Sequence, residues 1–300
     1  MDRTHNPEFT VLEWYTAYKD YFWMMEITEQ LFEKIALTLH GTTELKVGDK
    51  TINFKAPYRR ISIIEAIQEN TGIDINGMDE AGLREVCKTL KIDVPPTIGK
   101  GKLIDEIFGA TSEHTYIQPT FIIDYPVEMS PLTKKHRSKE GLVERFELMV
   151  NGKELANAYS ELNDPIDQRK RFEDQLALME RGDDEAMFID HDFLRALEYG
   201  MPPTSGIGIG MDRLVMLLTN NHSIQEVLFF PQMRPEKSIV LSDLEKRIIA
   251  SCTKEPSSIS ELRTKIECSN KQWDISLKNL TKNRLVKVYK EGETVFIQLD

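Results

Sequence analysis

The most constraining feature of this 300-residue sequence is an Asn-Gly pair that separates two runs of strand-forming residues. Residues 151–152 both tolerate positive φ, which a two-residue type I′ turn requires at its central positions. Such a turn sets the register of the strands that it joins, so Val150 faces Lys153 and Met149 faces Glu154. The sequence therefore predicts an antiparallel hairpin at this point of the chain.

The other segments mix strand and helix patterns. Residues 9–15 are β-branched and aromatic and predict a strand. Asp20 is placed to cap a helix whose apolar residues recur every four positions across residues 23–39. Residues 61–110 predict mainly helices, and strand-forming residues resume after them. We therefore expect approximately residues 41–115 to be a helical insertion in a domain that contains a sheet.

Charge and pattern both change near residue 240. The chain has a net charge of −11, but its last sixty residues carry 11 Lys and Arg against 9 Asp and Glu, whereas the first 240 carry 27 against 40. From residue 241 onward, three helix candidates precede a hairpin around residues 291–292, which suggests a winged-helix domain. We therefore expect two domains, residues 1–240 and 241–300. The excess of acid argues against a protein that binds nucleic acid through its whole surface.

The cysteines give no sign of a metal site. Cys87, Cys252 and Cys268 are far apart, and such a scattered odd set is typical of reduced thiols that pack as small apolar side chains. No run approaches the roughly 20 apolar residues that cross a bilayer, and no signal-peptide pattern follows Met1. These features predict a cytoplasmic protein.

Two carboxylates lie on the predicted hairpin. Glu147 and Glu154 share one face of the sheet, one diagonal step apart, within reach of a common ligand. Carboxylates this close repel each other unless a cation lies between them, and oxygen ligands with an incomplete shell suit Mg²⁺ that is held jointly with phosphates. The alternative is a pair of acids on a solvated face, which is common in proteins.

A polar cluster follows on the second strand of the hairpin. Asn157, Tyr159 and Glu161 share a face by the period of two, which brings together an amide, a phenol and a carboxylate. Strict alternation places Glu154 on the opposite face. One pocket that uses all four side chains therefore requires a β-bulge between them, which the sequence alone does not establish.

The N-terminal strand carries a third group of side chains. Phe9, Glu13 and Tyr15 share one face, and His5 and Asn6 come shortly before them. An aromatic ring, a carboxylate and a phenol on one face suit the stacking of a base and the binding of a cation. A half-buried strand without such a role is the competing interpretation.

Glycines form a fourth group. Residues 206–210 alternate glycine with isoleucine and lead into a helix that begins near Met211, with Arg213 in its first turn. Glycine lets the backbone approach a ligand closely, and the fork of donors on an arginine suits a phosphate. The run has neither the Rossmann spacing nor the Lys-Ser/Thr of a P-loop, which excludes the two most common nucleotide motifs.

Taken together, these segments resemble the catalytic core of the class II aminoacyl-tRNA synthetases, and within them the lysyl enzymes. The similar stretches are THNPEFTVLEWYTAYKDY (second half of motif 2), FELMVNGKELANAYSELND (the lysyl-type strands before motif 3) and GMPPTSGIGIGMDRLVMLLTN with VLFFPQMRPE (motif 3). The resemblance covers about residues 1–240. It implies an α+β fold, with an antiparallel sheet flanked by helices and truncated at its N-terminus, followed by a small winged-helix-like domain.

The resemblance assigns one group of residues to ATP. Phe9 would stack on adenine, and His5 and Asn6 would lie near the phosphates. Arg213, the motif 3 arginine and the expected catalytic residue, would bind the γ-phosphate. Gly208 would also line the ATP site.

A second group is assigned to the amino acid. Glu161 would meet the lysine ε-ammonium, helped by Glu13 and Tyr15, with Asn157 and Tyr159 lining the pocket. Aspartyl and asparaginyl relatives carry an arginine in place of Glu161. A glutamate there selects a cation by complementary charge and penalises a neutral or anionic side chain by leaving a desolvated carboxylate unpaired.

The resemblance also implies the reaction. Glu147 and Glu154 would hold Mg²⁺ that bridges the phosphates, while the lysine carboxylate attacks the α-phosphorus of ATP to give lysyl-adenylate and pyrophosphate. The 3′ end of tRNA(Lys) would then accept the lysyl group. Catalysis would come from positioning and from charge stabilisation, without a protein nucleophile.

The sequence departs from the family pattern at both ends. An anticodon-binding OB domain, the motif 1 segment that builds the homodimer interface, and the Phe-Arg-x-Glu strand of motif 2 are absent, so we expect these 300 residues alone to be inactive in amino-acid activation. Two alternatives remain: a paralogue that lysylates elongation factor P, and a non-catalytic synthetase-like module that binds RNA or a partner.

Two basic segments have an open interpretation. The C-terminal domain would carry a basic face, suited either to tRNA or another nucleic acid, or to a packing or partner-binding domain with solvated lysines. Its residues are Lys271, Lys278, Lys282, Arg284 and Lys287. The run at residues 134–139 would meet the acceptor end of tRNA or form a mobile charged loop.

Overall fold

The computed structural model describes residues 2–183, 187–232, 241–253, 255–292 and 294–299. The chain divides into two compact units, Met1–Gln232 and Met233–Asp300, which are described separately below. Among the described residues, no helix is both long enough and apolar enough to cross a membrane.

The first unit is built on a six-stranded sheet. Its strands lie in the order β1-β8-β7-β6-β5-β4, and every neighbouring pair is antiparallel except β4 with β5. A separate hairpin joins β2 to β3. The strands are β1 (Val11–Ala17), β2 (Glu44–Val47), β3 (Lys50–Asn53), β4 (Arg59–Ser62), β5 (Thr120–Ile123), β6 (Arg145–Val150), β7 (Lys153–Ser160) and β8 (Thr204–Gly210).

Helices flank this sheet, as the resemblance to class II synthetases implies. Asp20 caps the first one by accepting a hydrogen bond from the backbone N–H of Trp23 at 3.1 Å, as predicted. The helices are α1 (Tyr21–His40), α2 (Ile63–Thr71), α3 (Glu80–Leu90), α4 (Lys100–Thr111), α5 (Pro165–Glu180), α6 (His191–Tyr199) and α7 (Met211–Thr219).

The apolar residues at four-residue spacing flank the buried face of α1. The core contains Tyr21, Met24, Met25 and Phe32, whereas the series at residues 23–39 lies at the rim and ends in solvent. A helix turns once in 3.6 residues, so a strict four-residue repeat drifts by about 40° per step and leaves the buried face. The core-facing stripe therefore follows three- and four-residue steps instead.

The segment predicted to be an insertion takes part in both cores of the unit. Its β2–β3 hairpin packs into the core beneath β6, β7 and β8, and β4 pairs in parallel with β5. Helices α2, α3 and α4 form a second core around Ile67, Leu83 and Ile104 against the other face of the sheet. Within residues 41–115 the helices begin at Ile63, and the residues before it contain the strands β2, β3 and β4.

The second unit contains three helices and a small sheet. Its strands lie in the order β10-β11-β9, and Ile248, Trp273 and Leu280 are buried at its centre. The three helix candidates and the hairpin of the sequence are present, and the added strand β9 is only two residues long. Membership of the winged-helix class stays a prediction. The elements are α8 (Asp243–Ser251), β9 (Ser257–Ser258), α9 (Ile259–Lys265), α10 (Asn270–Lys282), β10 (Val286–Glu291) and β11 (Thr294–Leu299).

A buried carboxylate ties α1 to the sheet. Glu144 is 2% exposed and accepts hydrogen bonds from Arg137 at 2.5 and 3.0 Å and from the Ser160 hydroxyl at 2.6 Å. The Ser160 oxygen in turn accepts from the backbone N–H of Tyr21, and Arg137 also reaches Asp20 at 2.8 Å. Burial opposes ionisation of Glu144, but its hydrogen bonds to Arg137 and Ser160 outweigh it and lower the pKa.

Neighbouring cations of the same segment are also paired within the unit. Lys135 lies 3.1 Å from Asp167, and Lys139 lies 2.5 Å from Asp124. Lys134 donates to the side chain of Asn163 at 2.9 Å. The run at residues 134–139 therefore neutralises internal acids and does not present a free basic face.

We expect Glu144→Gln to lower the free energy of unfolding by about 2 kcal/mol, because the buried position loses the charge that strengthens its hydrogen bonds from Arg137 and Ser160. Glu140→Gln, at an exposed position of the same segment, is the matched control and is expected to change it by less than about 0.5 kcal/mol. Urea unfolding of both variants measures the difference. Equal stability of the two would show that the network does not hold α1 to the sheet.

Candidate active site

A β-bulge in β7 decides which side chains share the site. Val150 pairs with Lys153 and Met149 with Glu154, as predicted, but Leu148 then pairs with Ala156. Leu155 is thus the extra residue on its strand, and both Leu155 and Ala156 pack into the core. The bulge that the sequence could not establish is present.

The bulge brings all the predicted carboxylates of the hairpin to one face. Beyond it, Glu147 pairs directly with Asn157 and Arg145 with Tyr159. Directly paired residues of antiparallel strands project from the same face. Glu154 therefore lies on the same face as Glu147, Asn157, Tyr159 and the following Glu161, in place of the opposite face that strict alternation requires.

Glycines form the floor between these side chains and those of β1. Gly208 pairs with Glu13 on one side and with Asn157 on the other. Gly206 likewise lies between Tyr15 and Tyr159. Each cross-strand row therefore has a functional side chain at both ends and no side chain in the middle.

Gly206 is required by close packing, and this residue was missed as a site residue in the sequence. A Cβ at this position would lie 2.5 Å from the ring of Tyr15 and inside the van der Waals envelope of the Glu161 carboxylate. A Cβ at Gly208 would meet Val11 at an ordinary 3.6 Å. The signal that was available is the position of Gly206, two residues before Gly208 and hence on the same face.

The first cluster on this face is acidic and phenolic. Burial raises the pKa of Glu161 to about 8, and no described residue pairs with its carboxylate. Burial, reinforced by the nearby Glu161, raises the pKa of Tyr159 to about 12. The Tyr15 hydroxyl donates to Glu13 at 3.4 Å, and burial raises its pKa as well. Because no described cation pairs with the Glu161 carboxylate, this cluster suits a ligand that carries a positive charge.

The second cluster surrounds a cavity of about 350 Å³ at the start of α7. Arg213 donates to the backbone oxygen of Glu154 at 2.5 Å, and its guanidinium lies 3.8 Å from the Glu154 carboxylate and 3.4 Å from His5. Asn6 and Phe9 also line the cavity, together with Asn157 and Gly208. The predicted ATP residues are thus brought together around one space.

Phe9 differs from its prediction in one respect. The first strand begins at Val11, so Phe9 precedes it and is 62% exposed. The backbone N–H of Thr10 donates to the Asp212 carboxylate at 2.6 Å, which fixes this segment against the first turn of α7. Phe9 therefore presents an exposed ring at the cavity wall from a loop and not from the strand.

Arg145 connects Glu147 to Asn157 at the second cluster, and this residue was also missed. Its guanidinium donates to Glu147 at 2.5 Å, to the side chain of Asn157 at 3.1 Å and to Ser130 at 2.9 Å, and it stacks on Tyr125 at 4.6 Å. Arg145 lies two residues before Glu147 on β6, so the period of two places it on the same face. Arg145 therefore orients the carboxylate of Glu147 and the amide of Asn157.

The carboxylate pair fits a cation that is shared with a ligand. Burial raises the pKa of Glu147 to about 7, and the charge of Glu154 acts in the same direction. Among the described residues, no group of three or more His, Cys, Asp and Glu is placed to hold a metal by itself. Mg²⁺ typically takes one or two protein carboxylates and completes its shell with water and phosphate oxygens, which matches this donor set.

The chain is similar to known proteins over its whole length. Residues 1–234 match the family described as tRNA synthetases class II (D, K and N). The chain is 60% identical over 301 residues, and over its whole length, to the lysine–tRNA ligase of Christiangramia forsetii, of which it covers 53%.

Two further relatives carry the same name. The lysine–tRNA ligase of Porphyromonas gingivalis is 69% identical over 85% of this chain, which covers 44% of that protein. That of Azobacteroides pseudotrichonymphae is 70% identical over 79% of the chain, which covers 47% of it. The chain spans about half the length of the curated relatives that it matches.

The buried Glu161 predicts a specific dependence of stability on pH. Its pKa of about 8 in the folded protein exceeds the ordinary value of 4.5, so between these pH values the unfolded state ionises while the folded state stays protonated. Stability therefore falls as pH rises and levels off above the folded pKa. Relative to Glu161→Gln, the native protein should lose on the order of 3 kcal/mol of unfolding free energy as pH rises from about 5 to above 8.

Urea unfolding at several pH values measures this difference, with Glu173→Gln on the exposed face of α5 as the control. The native protein and Glu173→Gln should show the same pH profile. A profile of Glu161→Gln that runs parallel to them would refute the buried, unpaired state of Glu161.

Proposed function

Because the chain belongs to the tRNA synthetases of class II (D, K and N), we propose that the protein that carries it is a lysine–tRNA ligase. The observation that carries the proposal is the buried carboxylate of Glu161, which lacks a cation among the described residues. The names of the similar proteins support the same conclusion.

Lysine is proposed to bind over the glycine floor. Its ε-ammonium would supply the positive charge that the Glu161 carboxylate lacks, and Tyr15 and Tyr159 would enclose the aliphatic part of the chain. Glu13 holds the Tyr15 hydroxyl at 3.4 Å and thereby orients it. A neutral or acidic side chain would leave Glu161 buried without a partner, so the same contact would supply selectivity.

ATP is proposed to bind in the adjoining cavity. The exposed ring of Phe9 is available to stack on a base, and Arg213 presents a guanidinium beside His5 that suits a terminal phosphate. Asn6 lies 8% exposed at the same wall. Gly208 at the floor leaves space between Asn157 and Glu13 for the reacting groups.

Glu147 and Glu154 are the residues proposed to hold Mg²⁺. The metal ion would supply charge stabilisation at the phosphates when it is bound. Arg145 keeps Glu147 in place through its 2.5 Å contact, and Arg213 approaches the Glu154 carboxylate to 3.8 Å. Each of the two carboxylates thus has an arginine beside it.

The proposed reaction has two steps. The lysine carboxylate attacks the α-phosphorus of ATP, which forms lysyl-adenylate and releases pyrophosphate. A hydroxyl at the 3′ end of tRNA(Lys) then attacks the lysyl carbonyl and releases AMP. The residues described here bind and orient the reactants, and none of them forms a covalent intermediate.

The proposal is tested by amino-acid-dependent exchange of pyrophosphate into ATP, followed by lysylation of tRNA(Lys), with the protein that carries this chain. We expect exchange with lysine and not with aspartate or asparagine. Glu161→Gln should raise the KM for lysine by about 30-fold or more, from the roughly 2 kcal/mol lost when a buried charge loses its partner. Exchange supported by aspartate, or an unchanged KM for lysine in the variant, would overturn the assignment.

The glycine floor allows the two substrate sites to be separated. Gly206→Ala places a Cβ against Tyr15 and Glu161, so we expect lysine affinity to fall at least tenfold while ATP affinity changes little. Gly208→Ala meets only ordinary contacts but narrows the ATP cavity, so the opposite pattern is expected. Calorimetric titration of each ligand measures both affinities. Equal losses for both ligands in both variants would contradict two distinct subsites.

A further inference from the structure

One face of α10 carries a stripe of cations. The helix buries Trp273, Ser276 and Leu280 against the core of the second unit. Its exposed side presents Lys271, Ile275, Lys278 and Lys282, which are spaced three or four residues apart and therefore line one face. The stripe is a regular feature of the helix surface.

The charge of this region differs from that of the rest of the chain. Residues 270–293 contain six basic and three acidic residues, whereas the remainder contains 32 basic and 46 acidic ones. A protein with a net charge of −11 repels polyanions in general, so a basic face on it must be local to act on them. Residues 270–293 provide such a local face.

These cations are free of internal partners in the part of the chain that the structure describes. No carboxylate there pairs with Lys271, Lys278 or Lys282, although Asp274 lies in the same stripe. The contrast with residues 134–139 is direct, since that run is neutralised by acids of its own unit. Unpaired cations at regular spacing lose no intramolecular ion pair when they meet phosphate.

The neighbouring hairpin carries a further lysine. Lys287, Tyr289 and the acidic Glu291 alternate with the buried side of β10 and lie on its outer face. The ring of Tyr289 stacks on that of Phe296 at 6.0 Å with an angle of 27° between the rings. Lysines beside partly exposed aromatic rings are a combination that suits a nucleic-acid backbone with adjoining bases.

We propose that the exposed face of α10 binds the phosphate backbone of RNA. The choice of RNA over DNA rests on the proposed function, because tRNA is the polyanion that a lysine–tRNA ligase must meet. Lys271, Lys278 and Lys282 contact phosphates, and Ile275 packs on the sugar edge between them. Asp274 weakens the surface and is tolerated because three cations surround it.

The test measures binding of a tRNA(Lys) transcript to the full chain by fluorescence anisotropy over a series of salt concentrations. The variant K271Q/K278Q/K282Q should bind on the order of tenfold more weakly, and the slope of log affinity against log salt should fall by about 2 to 3, since one counterion is released per phosphate neutralised. The control K246Q/R247Q/K265Q removes the same charge from α8 and α9. It should change the affinity and the salt slope by less than a third of the change in the α10 variant.

Each outcome decides the proposal. Native affinity and slope in the α10 variant, or an equal loss in the control, would overturn it. A duplex DNA of equal length that binds as well as tRNA, with the same dependence on the three lysines, would refute the assignment to RNA. Pyrophosphate exchange with lysine needs no tRNA, so that assay, made with the protein that carries this chain, tests the proposed function separately.

Discussion

The site of this protein depends on one register shift in the β6–β7 hairpin. Leu155 is an extra residue, and it turns inward beside Ala156 and so reverses the alternation of everything that follows. Without it, Glu154 would lie on the opposite face of the sheet from Asn157 and Glu161. The gain is a continuous polar face, and the apolar contacts of Leu155 and Ala156 with the core hold the irregular backbone in place.

Two buried carboxylates beside this sheet differ in whether a cation pairs with them. The Glu144 carboxylate accepts hydrogen bonds from Arg137 and Ser160, which lower its pKa. Its charge is therefore part of the folded structure. Glu161 receives no cation from the described residues and is raised to a pKa of about 8. A buried carboxylate that has a cationic partner can contribute to the stability of the fold. A buried carboxylate without one lowers the stability and leaves its charge available to a ligand. Among the described residues, Glu161 combines this burial with the absence of a paired cation.

Local rules predicted a large part of the fold and of the site. The Asn-Gly turn predicted the hairpin register, and Asp20 predicted the start of α1, because both act through backbone geometry within a few residues. The bulge at Leu155 and the buried face of α1 depend on packing with distant elements, which one sequence does not contain. The alternation of side chains along a strand places Arg145 on the face of Glu147 and Gly206 on the face of Gly208. Neither residue type indicates a functional site by itself.

The empty positions of the site are as specific as its side chains. Gly206 and Gly208 occupy the middle of two cross-strand rows whose ends are Tyr15 with Tyr159 and Glu13 with Asn157. Any side chain at Gly206 would press on Glu161 and remove the space that its charge requires. A glycine in a strand weakens the strand, so its presence at the centre of a sheet calls for a compensating reason. Here the reason is that β8 supplies backbone hydrogen bonds to both neighbours while leaving volume for a ligand above it.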